Sequence, residues 1–279
     1  MPTIARASNA RSCQLRRPKR SRPFGLLPNG VSAALLGLPI FAKSAAPGTL
    51  RTRRLALQRM HESKHYRLPG LAGQPSIYVL AGVNGAGKSS IGGSAFRELG
   101  ADYFNPDEFA HTLMGLDSTL GQEAANAAAW LHGKGLLERA IEQRLDFALE
   151  STLGGSTIPK LLALAALRGI AIRVWYVGLS TPELHIARVR ARVRRGGHPI
   201  QEADIRRRFE HSRLNLIELL PRLAALRAFD NSTEGDPSFG MTPLPLLVLE
   251  MEHGRIVAPK DLSRTPDWAK PIVAAALRR

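Results

Sequence analysis

One stretch constrains this chain more than any other: Gly82-Val83-Asn84-Gly85-Ala86-Gly87-Lys88-Ser89. It meets the pattern G-x4-G-K-S, which carries chemistry only between a strand and a helix. Ile77 to Ala81 is a short continuous apolar run, as a buried parallel strand requires. Lys88 to Leu99 reads as a helix closed by Gly100. In that setting glycines let successive backbone N–H groups turn inward toward phosphate oxygens. The helix start adds the positive end of its dipole. Lys88 supplies a point charge between the β- and γ-phosphates, and the Ser89 hydroxyl is offered to Mg²⁺. A glycine-rich turn with an incidental lysine would not need this context. The phosphates of ATP or GTP are therefore expected on Gly82, Asn84, Gly85, Ala86, Gly87, Lys88, Ser89 and Ser90.

Downstream, β-like and helical segments alternate. Tyr103-Phe104 reads as a short second strand, Gly121 to Arg144 as a long helix, and Phe147 to Leu149 as the end of a third strand. Pro159 to Leu167 is helical and stops at Gly169, before the apolar strand Ile170 to Val177. Thr181 caps the next helix with Pro182 in its first turn, and Gly196-Gly197 cuts it. Glu202 to Leu226 is expected as helix, leading into a last core strand at Ala228-Phe229. Such alternation predicts an α/β fold, a three-layer α/β/α sandwich with a mainly parallel sheet. After Gly240 the pattern changes to a hairpin, Leu246 to Met251 and Arg255 to Val257, followed by a closing helix, Trp268 to Leu277. The predicted organisation is a basic, disordered extension over 1–74, a phosphate-binding domain over 75–234, and an extension over 235–279 packed on that domain.

The net charge of +16 suggests a nucleic-acid binder until it is located. Residues 1–74 hold eleven Arg and three Lys against one acid, Glu62, and so carry +13 of it. The remaining residues carry only +3, so overall charge says little about the body of the protein. The apolar run Val31 to Ala42 is interrupted by Pro39 and falls short of the roughly 20 residues a bilayer span takes, so no membrane association is expected. An Arg-rich, acid-poor leader also fits an organellar transit peptide, and the run before Ala45-Ala46 loosely fits a secretion signal. Composition favours a disordered extension. Cys13 is the single cysteine, so neither a disulfide framework nor a zinc site can be argued from it, and a reducing cytoplasm is the expected setting.

A mechanical ATPase needs an apolar strand ending in an acid that holds the Mg²⁺ shell. Ile170 to Val177 ends instead in Gly178-Leu179-Ser180, and Glu150 alone closes such a strand. Small-molecule kinases use an arginine-rich lid that neutralises the transferring phosphoryl group and excludes water. Arg188, Arg190, Arg192, Arg194 and Arg195 precede Gly196-Gly197-His198, and Arg206, Arg207 and Arg208 follow. On a helix Arg188, Arg192 and Arg195 share one face, so not every arginine can meet the nucleotide. The alternative reading of the run is a solvated basic face or a patch for a nucleic-acid backbone. Asn105-Pro106-Asp107-Glu108 stands beyond the second strand, at the sheet edge where α/β folds bind ligands. Asn105 and Glu108 suit a helix start, which leaves Asp107 free to accept a proton from a substrate hydroxyl.

These motifs, with Leu149-Glu150-Ser151-Thr152-Leu153, Arg206-Arg207-Arg208-Phe209 and Phe229-Asp230-Asn231-Ser232, come in the order of a known family. Over about residues 75 to 234 the chain resembles the zeta-toxin-like P-loop kinases, in a bacterial branch of predicted ATPases. The resemblance implies ATP- and Mg²⁺-dependent phosphorylation of a small-molecule acceptor, UDP-N-acetylglucosamine on its sugar hydroxyl. Asp107 matches the family's catalytic base, acting with Lys88 and with lid arginines drawn from Arg192, Arg195 and Arg208. Asn105, Glu150 and Thr152 fall to the acceptor, and Ser89 to the metal. The Gly196-Gly197-His198 lid departs from the toxins, and no antitoxin segment is visible. The rival reading is a nucleotide-dependent binding protein that contacts nucleic acid through the basic tail and the arginine cluster. The kinase is favoured.

Overall fold

The computed structural model describes residues 74–89, 91, 103–233 and 244–279. The expectations for 1–73, Cys13 among them, for Ser90, and for most of the helix after Lys88 lie outside the described residues. Of that helix, Lys88, Ser89 and Ile91 are described, and all three are helical. The elements then run β1 (Ser76–Ala81), α1 (Pro106–Leu116), α2 (Gln122–Gln143), β2 (Phe147–Ser151), α3 (Thr157–Leu167) and β3 (Ala171–Gly178). They continue with α4 (Pro182–Val193), α5 (Glu202–Leu219), β4 (Leu223–Asp230), β5 (Leu246–Glu252), β6 (Arg255–Ala258) and α6 (Lys270–Leu277).

The six strands form one sheet in the order β2-β1-β3-β4-β5-β6. The first four in that order are mutually parallel, while β4–β5 and β5–β6 are antiparallel. This is an α/β/α sandwich with a mainly parallel sheet, and the C-terminal hairpin extends that sheet at its β4 edge. Two-sided burial is written in β1. Ile77, Val79 and Ala81 join the main core, while Leu80 joins a cluster with Ala148 and Tyr103. Alternate residues of a strand point to opposite faces, so both faces are covered. Leu137 and Leu162 of the covering helices and Ile172 of β3 are wholly buried. Truncating any one of them to Ala would cost about 2–5 kcal/mol through lost burial and the cavity left behind.

The chain passes from β1 to β2 on one side and then from β2 to β3 on the other side of β1. The carboxyl end of β1 is therefore a topological switch point, where a crevice opens and α/β folds place ligands. The Gly82–Ser89 loop leaves β1 at that point.

Two sequence expectations change. Phe104 makes a single parallel bridge with Leu149 rather than a strand. The helix expected to reach Leu226 ends at Leu219, followed by a 3-10 turn over Leu220–Arg222 and by β4 from Leu223. Pro221 explains the stop, because it has no N–H for the helical ladder and its ring clashes with the preceding turn. Leu223 and Leu226 are instead buried in the sheet.

Candidate active site

Gly82, Gly85 and Gly87 all take positive φ. At Gly82 an added Cβ would stand 2.1 Å from the Val177 carbonyl oxygen, so any side chain would push the loop off β3. At Gly85 it would stand 2.7 Å from the His185 carbonyl, because α4 packs directly on the loop. Two side chains grip Asn84 from outside. His185 Nδ1 lies 2.8 Å from the Asn84 carbonyl, and Arg208 donates to the Asn84 side-chain oxygen at 2.8 Å. A carbonyl only accepts, so the His185 proton sits on Nδ1. Burial pushes the His185 imidazole down to about 4, outweighing the upward pull of that hydrogen bond, and the charges of Lys88 and Arg188 add to the downward shift. Arg188 itself belongs beside the loop: its Cβ is 3.5 Å from where a Gly85 Cβ would be.

The acids at the strand ends converge on the loop. Glu150 Oε1 is 3.4 Å from Lys88 Nζ, and its Oε2 accepts from the Ser89 hydroxyl at 3.2 Å and from Asn105 Nδ2 at 3.4 Å. Asn105 caps α1, its side-chain oxygen accepting from the N–H groups of Asp107 and Glu108. Its amide nitrogen, rather than its backbone, meets the Glu108 carboxylate at 3.2 Å. Asp107 is thereby left out of the cap. Its carboxylate is 46% exposed, 3.6 Å from Arg192 and 3.9 Å from His198.

Apart from Arg188 beside the loop, the arginine run separates into three groups. Arg192 and Arg208 face the site. Arg190 pairs with Glu202, and Arg206 pairs with Glu183 at 2.5 Å, both joining α4 to α5; Arg207 pairs with Asp204 at 2.8 Å. Arg194 and Arg195 are exposed at the end of α4. Arg195 does not line the cleft beside Asp107, so the shared helical face expected for it does not bring it to the site. After Val193 the chain leaves the helix and turns at Gly196, with φ 92.

A cleft of about 680 Å³ opens beside the loop, lined by Lys88, Asn105, Asp107, Glu150, Thr152 and Arg208. Its far wall, absent from the sequence reading, is one face of α2: Gln122, Asn126, Trp130 and Lys134. The spacing of four residues between them was the available signal. Trp130 is 44% exposed for so large an apolar group, and Gln122 donates to Asn126 at 2.9 Å. His185 has no local sequence signal as a loop contact, while Asn231, whose amide donates to the Ala86 carbonyl at 2.9 Å, stands in the Phe229–Ser232 motif, which gave no role for it. No cluster of three or more metal-ligating side chains occurs among the described residues. No helix among them is long and apolar enough to cross a membrane.

The zeta toxin family model matches residues 60–224, more than half of the chain. This chain belongs to the zeta toxin family of P-loop kinases. The zeta-toxin-family protein is 31% identical over 136 residues to an uncharacterized protein of Haemophilus influenzae, covering 49% of this chain and 94% of that one. Among solved structures it is similar to the native AvrRxo1-ORF1:-ORF2 complex, with a TM-score of 0.57 at 14% identity over 82% of this chain and 80% of that chain. Against the same complex with ATP the TM-score is 0.51 at 15% identity, over 74% of this chain, which spans 64% of the length of that chain. At such identities the likeness is one of fold. Together the family match and the loop make this protein a P-loop phosphotransferase.

Proposed function

We propose that this zeta-toxin-family protein transfers the γ-phosphoryl group of ATP to a hydroxyl of a small molecule, most suitably a nucleotide-sugar such as UDP-N-acetylglucosamine. The observation that carries the reading is the position of Asp107. Its carboxylate is free of the helix cap and lines the cleft that also contains Lys88, while Arg192 stands 3.6 Å away. In the proposed step the acceptor oxygen attacks the γ-phosphorus and the bond to the β–γ bridging oxygen breaks. ADP leaves and the hydroxyl proton passes to Asp107. Lys88 and the loop N–H groups hold the phosphates, and Arg192 and Arg208 balance the charge of the transferring group.

ATP as the donor is supported by the loop and by the AvrRxo1 complex, whose chain has been crystallised with ATP. The donor set also suits Mg²⁺, a hard cation that takes oxygen ligands. The Ser89 hydroxyl and the Glu150 carboxylate lie 3.2 Å apart at the loop's helical end and would hold it directly or through water. When bound it would neutralise charge on the β- and γ-phosphates. This gives Glu150 a duty at the loop, beside the acceptor contact implied by the family resemblance. On the acceptor side, Thr152 and the α2 face offer a hydroxyl, two amides and an indole ring, a set suited to a ligand with both polar and planar parts.

Arg190, Arg206 and Arg207 are each paired with a carboxylate, which supports the kinase reading over a nucleic-acid patch, although Arg194 and Arg195 stay exposed. Incubating the protein with ATP, Mg²⁺ and UDP-N-acetylglucosamine, then examining the sugar nucleotide by mass spectrometry, tests the assignment. A product heavier by one phosphoryl group is expected. An unmodified sugar nucleotide would send the search to other hydroxylated metabolites.

A further inference from the structure

The motif Phe229-Asp230-Asn231-Ser232 has no part in the chemistry above, yet it touches the phosphate loop. Asn231 Nδ2 donates to the Ala86 carbonyl at 2.9 Å, and a Cβ on Gly87 would stand 2.6 Å from that same nitrogen. The Asn231 N–H donates to the Gly178 carbonyl at 3.0 Å. Asp230 folds the turn, accepting from both the N–H and the hydroxyl of Ser232. The Ser232 hydroxyl oxygen accepts in turn from the Ser180 N–H at 2.7 Å. Behind the turn stands a residue from the far end of the chain. Trp268, only 3% exposed, donates its indole N–H to the Asp230 carboxylate at 3.1 Å.

Trp268 is also fixed on its other sides. Its ring covers Gly178, where an added Cβ would meet ring atoms at 2.3 Å, and it stacks on Tyr176 with centroids 6.0 Å apart. Its carbonyl accepts from Arg213 at 3.4 Å. The indole is thus a rigid post, and the hydrogen bonds run from it through Asp230 and the turn to Asn231 and the loop. Asp230, Asn231, Ser232 and Trp268 all lie beyond residue 224, where the family match ends.

We infer that Trp268 is a positioning residue for the nucleotide site: through Asp230 it sets the turn that places Asn231 against the phosphate loop. The C-terminal segment of this chain therefore completes a site whose chemistry lies elsewhere. A loop carbonyl held by Asn231 keeps its peptide from swinging, so the neighbouring N–H groups stay aimed at phosphate before the ligand arrives. Such preorganisation is expressed as affinity.

The inference rests on the phosphate-loop reading, and its test uses ATP without any acceptor. Calorimetric titrations would compare the full chain with Trp268→Phe, Asn231→Ala and the double variant, well below the unfolding temperature. Trp268→Phe keeps an aromatic ring over Gly178 but has no N–H. It should weaken ATP binding about 3- to 10-fold, the scale of one hydrogen bond. Asn231→Ala should weaken it at least as much. Because Trp268 acts through Asn231, the double variant should lose little more than Asn231→Ala alone. Should Trp268→Phe fold poorly, Asp230→Ala removes the same link without touching the indole packing, and the same non-additivity is expected. Wild-type affinity in Trp268→Phe, even with a lowered melting temperature, would make Trp268 a packing residue only. Losses that add would show the two residues acting independently and would overturn the inference. A wild-type protein without ATP affinity would overturn the phosphate-loop reading itself, and this inference with it.

Discussion

Glu150 holds Lys88: one carboxylate oxygen lies 3.4 Å from the ammonium, with 12% and 7% of the two side chains exposed. An ion pair so sheltered from water is stronger than a surface pair. It also means that incoming phosphates must share or replace the carboxylate as the partner of Lys88. Glu150 sits there because β2 runs parallel to β1 with Leu80 paired to Glu150 and Ala81 to Ser151, so both strands end at the same edge.

Lys88→Ala is expected to abolish ATP binding while leaving the domain folded. Glu150 keeps Ser89 and Asn105 as hydrogen-bond donors, so its carboxylate is not left without partners. Calorimetry reads the affinity and circular dichroism the fold. Undiminished affinity would remove Lys88 from the phosphate site.

Glu150→Gln separates a metal-shell acid from an acceptor contact. For a metal-shell acid, the tightening of ATP binding on adding Mg²⁺ should shrink by about tenfold or more, while affinity in EDTA is kept or improved as a negative charge leaves the phosphates. If the Mg²⁺ increment is unchanged and only acceptor affinity falls, Glu150 serves the acceptor alone.

His185 makes stability pH-dependent in a defined window. Its folded value of about 4 lies below the ordinary 6.5, so the unfolded chain binds the proton more readily. Its contribution is complete above about pH 6.5 and is lost as pH falls toward 4, by on the order of 3 kcal/mol in all. Urea unfolding at pH 7.5 and pH 5 should show the wild type losing more stability than His185→Gln. Equal losses would mean that the imidazole is not held neutral.

How far the site could be read in advance depended on whether its causes were local. The phosphate loop and the Asn105-Pro106 helix start were legible because each is set by its own residues: glycines at positive φ, and a side-chain cap followed by a proline in the first turn. The arginine run was legible as a group but not one by one. Periodicity put Arg188, Arg192 and Arg195 on one face, but the helix stops at Val193 and leaves Arg195 exposed. The end of α5 was overrun because Leu223 and Leu226 continue a helical spacing, and the sheet edge that claims them comes from β3. The α2 wall of the cleft, His185 on Asn84, and Trp268 on Asp230 join distant segments. Each depends on packing that no short stretch announces.

The central claim is phosphoryl transfer to a small-molecule hydroxyl with Asp107 as the proton acceptor. The most direct measurement is mass spectrometry of a metabolite extract incubated with ATP, Mg²⁺ and either wild type or Asp107→Asn. The cap on α1 belongs to Asn105, so the variant should fold and should bind ATP as wild type does. Wild type should yield a metabolite heavier by one phosphoryl group, and the variant should form it about a hundred- to ten-thousand-fold more slowly. A variant that forms the product at the wild-type rate, or a wild type that phosphorylates no metabolite yet hydrolyses ATP when nucleic acid is added, would contradict the account.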